Sequence, residues 1–169
     1  NSAQPYIGFA PFAAYASKTY PFKNIKNLVK ILSEKSGTVI LFGGGQEEIK
    51  KLNVLAEAYD NVISVAGQLS IDEELQLMSH LKVMLAMDSG NAHMAAMMGI
   101  KVLTLWGVTH PYSGFKPFNQ PLENCLLADK EQFPKIPTSV YGNHYPKGYE
   151  KAIASISEES IVEAVKKAL

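Results

Sequence analysis

The sequence predicts an α/β domain with an open parallel sheet and helices on both faces, and two observations support this prediction. Short apolar runs alternate along the chain with longer stretches of helical periodicity, which is typical of βαβ units. The 169 residues are 47% hydrophobic and 19% charged, which is the composition of a globular protein that buries its own core. We therefore expect residues 1–169 to form a single Rossmann-like domain.

Short apolar runs bounded by turn-forming residues are the candidate strands of this sheet. Five are clear and a sixth is weaker. The five cover residues 6–10, 38–42, 62–65, 83–86 and 102–105, and the weaker one covers 124–127.

Stretches with apolar residues at helical spacing are the candidate helices. Ser70 and Glu73 have the spacing of a capping box at the start of the third stretch, and Ser157 precedes the last. The predicted helices cover residues 24–34, 47–59, 71–80, 91–98 and 158–168.

Between residues 111 and 155 the periodic pattern gives way to proline, glycine and aromatic residues. A stretch of this length without regular structure is usually a functional loop or a packed excursion. Its aromatic side chains need a surface to cover, so we expect it to pack on the domain.

Ligands of open parallel sheets bind beyond the carboxyl ends of the strands, so the strand-to-helix turns hold the candidate binding residues. The first turn, residues 11–21, is rich in small residues and carries Lys18, which can meet an anion or simply be solvated. The second joins three glycines, 43–45, to Glu47 and Glu48. These carboxylates can bind ribose hydroxyls, or they can merely complement the helix dipole.

The third turn is the strongest candidate. Asp88, Ser89 and Gly90 directly follow an apolar run and begin a short helix, and His93 lies one helical turn further on. Backbone N–H groups at such a helix N-terminus can hold a phosphate. The alternative is that Asp88 and Ser89 only cap the helix and that His93 belongs to the core.

The fourth turn contains Thr109 and follows the run 102–105. Taken alone it is only a turn. Because all four turns lie at one edge of the predicted sheet and all carry residues suited to a phosphate or a sugar, we expect them to meet in a single cleft.

Composition and missing motifs argue against several classes of protein. Lysine plus arginine and aspartate plus glutamate balance at 16 each, so no excess positive charge attracts nucleic acid. The pattern G-x-G-x-x-G does not follow the first strand, and the P-loop and the G-x-S-x-G elbow are absent. These absences argue against dinucleotide dehydrogenases, P-loop NTPases and α/β-hydrolases. One cysteine and four scattered histidines offer no zinc-ligand spacing, so we expect no metal. No apolar run is long enough to span a bilayer.

Residues 87–111 resemble the pattern D-S/T-G-x-x-H-x-A-A-x-x-G-x-P, continued as x-V/L-x-L-F/W-G-x-T-x-P, of glycosyltransferase family 9, the ADP-heptose:lipopolysaccharide heptosyltransferases. Lys18-Thr-Tyr-Pro21 resembles the end of the first loop in that family, and the two glutamates fall where the family has its ribose-binding acid. The sequence departs from the family at Lys101, where proline is usual, and at residues 13–14, two alanines where hydroxyl side chains are common.

The resemblance implies the C-terminal half of a GT-B enzyme, which transfers a heptose or related sugar from a nucleotide-sugar, ADP-linked in this family, by an inverting, metal-independent reaction. The other half would supply the glycolipid acceptor site and an aspartate base, so this chain alone would not complete the transfer. The resemblance also implies a cytoplasmic enzyme, associated with the inner face of the inner membrane. The final helix, 158–168, is expected to pack partly outside its own sheet.

By the same resemblance, Lys18 would neutralise the donor diphosphate and Glu47 or Glu48 would bind ribose. The amides of Ser89 and Gly90 would hold phosphate oxygens.

Asp88 would bind hydroxyls of the sugar, and His93 and Thr109 would line the same pocket. No catalytic residue is expected in this chain, because none of its side chains is a credible base for the acceptor hydroxyl.

Two other classes of protein compete with this interpretation. One is a non-catalytic module that binds a nucleotide or a sugar, and the sequence of the upstream half would distinguish it from a transferase. The other is a flavodoxin-like or receiver domain, which requires an acidic cluster or a flavin loop at the first turn. Ala13 and Ala14 disfavour it.

Overall fold

Six parallel strands form the sheet of the computed structural model, which describes residues 4–169. They are β1 (Tyr6–Ala10), β2 (Thr38–Leu41), β3 (Val62–Ser64), β4 (Val83–Met87), β5 (Lys101–Trp106) and β6 (Cys125–Leu127). Their order in the sheet is β3-β2-β1-β4-β5-β6, with every neighbouring pair parallel. This order places β1 beside β4 at a topological switch point, where such sheets bind their ligands.

Helices cover both faces of the sheet, as the sequence predicts. They are α1 (Phe22–Lys35), α2 (Gln46–Ala56), α3 (Ile71–Ser79), α4 (Gly90–Met97) and α5 (Glu158–Ala168). Among the described residues, no helix is both long and apolar enough to cross a membrane.

Alternation along the strands divides the core into two layers. Ile7 and Phe9 of β1 pack in the layer that holds the apolar residues of α1, α2 and α5. Ala10, the next residue along, packs in the layer of α3 and α4, whose small Ala92, Ala95 and Ala96 let α4 lie close to the sheet. The fold class predicted from the sequence is therefore confirmed.

Differences between the predicted and observed elements lie at their ends. Helix α1 begins at Phe22 rather than at residue 24, because Pro21 occupies its N-cap position and presets the chain for a helix. Helix α2 ends at Ala56 rather than at residue 59. The capping box is confirmed: the Glu73 amide donates to Ser70 Oγ at 3.4 Å, and Glu73 Oε2 accepts from the Ser70 amide at 2.8 Å.

The final helix packs on its own sheet, and the expectation that it also packs partly outside that sheet stays a prediction. Ile161 and Val165 of α5 are fully buried, and both belong to the core layer that α5 shares with α1 and the sheet. The helix therefore closes the apolar face that α1 and α2 leave uncovered.

The segment between β5 and α5 is a packed excursion, as expected. Besides β6 it contains three short 3-10 helices, Pro111–Ser113, Leu122–Asn124 and Tyr149–Ser155. It also has an apolar cluster of its own, formed by Val108, Ala128, Ile136 and Ala152. Hydrophobic burial within the excursion therefore holds it together.

Gln120 covers the part of β5 that β6 does not reach. Its Oε1 accepts a hydrogen bond from the amide of Val102 at 2.9 Å, and its Nε2 donates to the carbonyl of Ile100 at 3.1 Å. The side chain thus substitutes for a neighbouring strand and leaves less of this sheet edge unpaired.

Tyr20 joins the first turn to the start of α5. It is buried, and its hydroxyl donates to the carbonyl of Ile156 at 2.6 Å. Burial, together with the negative charge of Glu158, raises the pKa of Tyr20 to about 12. The phenol is therefore kept neutral in the folded protein when a free tyrosine would already ionise.

We expect Tyr20→Phe to lower the free energy of unfolding at neutral pH by about 1–3 kcal/mol, because the Ile156 carbonyl loses its partner. The difference should shrink as pH rises from the ordinary pKa of 10.0 towards 12. In that window the unfolded chain releases the Tyr20 proton and the folded protein retains it, so ionisation favours unfolding of the wild type only. Urea denaturation across this range measures both effects.

Tyr112→Phe is the matched control, because Tyr112 is exposed and lies outside the core. It should leave the stability unchanged at neutral pH. A Tyr20→Phe protein with the same loss of stability in alkali as the wild type would contradict the prediction.

Candidate functional site

The turns that follow β1 and β4 lie side by side, because these two strands are neighbours in the sheet. Lys18 ends a short 3-10 helix, Ala16–Lys18, in the first of these turns, and Asp88 directly follows β4. Lys18 Nζ lies 3.1 Å from Asp88 Oδ2, and the two side chains are only 12% and 6% exposed. The structure therefore brings together two predicted site residues 70 positions apart (88 − 18) in a shielded ion pair.

Thr109 joins this pair from the turn after β5. Its Oγ1 donates to the same oxygen of Asp88 at 2.9 Å, and the residue is buried. Thr109 does not line the pocket at this site, contrary to expectation. It contributes by holding the Asp88 carboxylate in place.

Ser89 and Gly90 form the N-terminus of α4. Ser89 occupies the N-cap position, yet its side chain makes no capping hydrogen bond. Its Oγ is buried and finds no partner within residues 4–169. Asp88 bonds to Lys18 and Thr109 instead of capping the helix. Helix capping alone therefore does not explain these residues.

A pocket of about 460 Å³ opens at this point. Five predicted site residues line it, namely Lys18, Asp88, Ser89, Gly90 and His93. At Gly90 an added Cβ would meet nothing within 4 Å, so a ligand can approach the backbone closely. The pocket thus combines a cation, a carboxylate and a helix N-terminus, which together suit a polar, anionic ligand.

The other side of the pocket is an apolar wall that the sequence analysis did not assign. It consists of Ala14 and three residues of the excursion, Phe115, Val140 and Tyr141. The rings of Phe115 and Tyr141 lie 5.6 Å apart at a tilt of 52°. The aromatic residues of the excursion indicate that it covers some surface of the domain. Nothing in the sequence indicates that this surface is the pocket.

Glu47 and Glu48 are not brought into this pocket. Glu47 is exposed on α2 and pairs with Lys50 at 3.0 Å. Glu48 Oε2 accepts from the amide of Gly44 at 3.0 Å, and the residue borders a separate groove beside Phe12. The second turn therefore lies at the same edge of the sheet as the pocket without lining it, and the expectation that all four turns meet in a single cleft stays a prediction.

Residues 4–169 hold no group of three or more histidine, cysteine, aspartate or glutamate side chains arranged to bind a metal ion.

Comparison with known proteins identifies the family. The model of "Glycosyltransferase family 9 (heptosyltransferase)" matches residues 1–144. This chain belongs to glycosyltransferase family 9. The resemblance found in residues 87–111 is therefore confirmed, and the pocket that follows β1 and β4 is a site in a glycosyltransferase family 9 fold.

Relatives and solved structures agree with this assignment. Lipopolysaccharide heptosyltransferase 2 of Escherichia coli K12 is 26% identical over 173 residues, which cover 96% of this chain and 46% of the relative. Heptosyltransferase WaaC of E. coli, solved with ADP, superposes with a TM-score of 0.75 at 16% identity and covers 100% of this chain and 46% of that one. The structure of E. coli ADP-heptose LPS heptosyltransferase II superposes with a TM-score of 0.71 at 21% identity. It covers 99% of this chain and 47% of that one.

This chain spans about half the length of the curated relatives it matches. Its six-stranded sheet matches one Rossmann-like half of the GT-B fold.

We expect Lys18 and Asp88 to be energetically coupled in the absence of any ligand. Lys18→Met should lower the free energy of unfolding by about 1.5–3 kcal/mol, because it leaves the buried carboxylate with fewer donors. Asp88→Asn should then cost much less in the Lys18→Met background than alone. Urea denaturation of the four proteins at low and high salt measures this coupling, which should change little with salt because the pair is shielded.

The exposed pair of Lys50 and Glu47 provides the matched control, since its side chains are 69% and 78% exposed. Its coupling should be only about 0.2–0.5 kcal/mol and should fall with salt. Equal coupling in the two pairs would refute the argument from burial.

Proposed function

We propose that this chain is the donor-binding half of an inverting glycosyltransferase that moves a heptose or related sugar from a nucleotide-sugar to a lipopolysaccharide-type acceptor. One observation carries the proposal: Lys18 and the N-terminus of α4 line the same pocket at the switch point. Membership of glycosyltransferase family 9 supports it independently.

The diphosphate of the donor would bind between Lys18 and α4. The ammonium of Lys18 has three donors, and its bond to Asp88 uses one of them. The amides of Ser89 and Gly90 begin α4, and the unpartnered Ser89 Oγ offers a further donor. As the bond to the sugar breaks, negative charge grows on the leaving nucleoside diphosphate, and these fixed donors would stabilise it without a metal ion.

The sugar of the donor would lie against Asp88. Two donors hold Oδ2 of this carboxylate, so it stays oriented while its remaining acceptor capacity faces sugar hydroxyls. His93 borders the same space, and the apolar wall with Phe115 and Tyr141 would cover the less polar side of the ligand. The E. coli structures named for ADP and for ADP-heptose support an ADP-linked heptose as the donor.

The acceptor site and the base that deprotonates the acceptor hydroxyl are assigned to an N-terminal half. The relatives are about twice as long as this chain, which leaves room for such a half. We place the complete enzyme in the cytoplasm, at the inner face of the membrane that carries its glycolipid acceptor.

Titration calorimetry with ADP, UDP and GDP tests the proposed donor site. The chain should bind a nucleoside diphosphate, weakly because half of the closed cleft would be missing, and it should prefer ADP. Lys18→Ala should reduce the affinity about tenfold to a hundredfold through loss of a charge-assisted contact. Gly90→Val should weaken binding comparably without unfolding the protein, because the space beside Gly90 is open.

Lys30→Ala is the control for overall charge, because Lys30 is exposed on α1 and lies outside the pocket. It should bind as the wild type does. If wild type, Lys18→Ala and Gly90→Val all bind equally, the pocket is not the donor site.

We further propose that Glu48, rather than Glu47, binds the ribose. The amide of Gly44 anchors the Glu48 carboxylate beside the glycine turn, whereas Glu47 points to solvent with Lys50. Glu48→Ala should lower the affinity for ADP about tenfold and leave that for inorganic pyrophosphate unchanged, because pyrophosphate has no ribose. Glu47→Ala is the matched control and should alter neither affinity; a loss of ADP affinity in Glu47→Ala alone would reverse the assignment.

A further inference from the structure

Lys18 contacts a second part of the protein besides Asp88. Residues 138–144 form a turn of the excursion that packs on the aliphatic stem of Lys18 through Gly142. The two segments lie 124 positions apart in the sequence (142 − 18). The contact is therefore a product of the fold, and the family motifs around Lys18 and Asp88 do not include it.

Gly142 is buried and leaves no room for a side chain. A Cβ at this position would lie 2.9 Å from Cγ and 3.0 Å from Cδ of Lys18, and 3.2 Å from Cγ2 of Thr109. Its φ of +83° is also a conformation that glycine adopts far more readily than other residues. Gly142 thus touches both side chains that donate to Asp88 Oδ2.

Hydrogen bonds fix Gly142 on both sides of its α-carbon. Its amide donates to Ser139 Oγ at 3.0 Å, and its carbonyl accepts from Ser17 Oγ at 2.5 Å. The amide of Thr138 donates to the carbonyl of Val108 at 3.0 Å, which ties the turn to the chain just beyond β5. The turn is therefore anchored independently of Lys18.

Close packing against Gly107 holds the backbone of Ser17 in place. Ser17 is fully buried, and its carbonyl lies so close to Gly107 that a Cβ there would clash with it. The 3-10 helix that carries Lys18 is thus held between Gly107 on one segment and Gly142 on another. The backbone before Lys18 and the stem of its side chain are both restrained.

We infer that Gly142 is a positioning residue for Lys18. By packing on its stem, Gly142 keeps the ammonium where it can meet the donor diphosphate. The inference rests on the proposed role of Lys18 in binding that diphosphate. A methyl group at residue 142 would move the stem of Lys18, and with it the ammonium, away from this place.

Affinities for ADP and for inorganic pyrophosphate test the inference in a double-mutant cycle. Gly142→Ala should weaken the binding of both ligands about tenfold, as expected when a charge-assisted contact is lost or misplaced. In the Lys18→Ala background the same substitution should change either affinity by less than about twofold, because the side chain it acts through is gone. Circular dichroism establishes that each protein is folded.

Gly148→Ala is the matched control. Gly148 lies in the same excursion with a φ of +91°, and a Cβ there meets nothing within 4 Å, so the variant carries the backbone strain without the contact. It should bind both ligands as the wild type does. Ser17→Ala, which releases the carbonyl of Gly142, should weaken binding in the same non-additive way and decides the question if Gly142→Ala does not fold.

The outcomes separate this inference from the proposed function. If Lys18→Ala weakens binding while Gly142→Ala does not, or if the two losses multiply, Gly142 does not act through Lys18 and the inference is overturned. If the wild type binds neither ligand, or if Lys18→Ala binds as the wild type does, the proposed diphosphate site fails and the inference fails with it.

Discussion

The ion pair between Lys18 and Asp88 is the contact on which the arrangement of the site depends. A carboxylate as shielded as that of Asp88 is costly unless donors surround it, and here one cation and one hydroxyl, that of Thr109, supply them. These three residues come from the turns after β1, β4 and β5, which are consecutive in the sheet. The strand order is thus what brings the charges together, and the charges in turn fix the conformations of the turns.

The sequence predicts the sheet and much of this site because both follow from local rules. Apolar runs such as 83–86 are too short for helices and too apolar for loops, so they are predicted to be strands. Their alternation with helical stretches predicts a parallel sheet. Once the sheet is parallel, Lys18 and Asp88 must lie at the same edge, since both follow a strand. The ends of elements depend on finer effects, as at Pro21, which starts α1 two residues earlier than periodicity suggests.

The excursion is where prediction from the sequence stops. Its path is set by contacts between distant residues, such as that of Ser17 with Gly142, and no repeating pattern encodes them. For this reason the apolar wall and the packing of Gly142 on Lys18 had no counterpart in the sequence analysis. Glu47 and Glu48 cannot be distinguished from the sequence either, because they are adjacent and equally acidic. Helix α2 turns the Glu47 side chain towards Lys50 and the Glu48 side chain towards the amide of Gly44.

The apolar cluster of Val108, Ala128, Ile136 and Ala152 gives the excursion a small core separate from the two layers that flank the sheet. Segments with their own core tend to unfold as cooperative units at a lower free energy than the whole domain. Such a sub-global opening would carry Gly142 and Tyr141 away from Lys18 and leave the sheet intact. A ligand that requires Lys18 in place would then stabilise the closed excursion by mass action, so occupancy of the pocket and the local stability of a segment far along the chain would be thermodynamically linked.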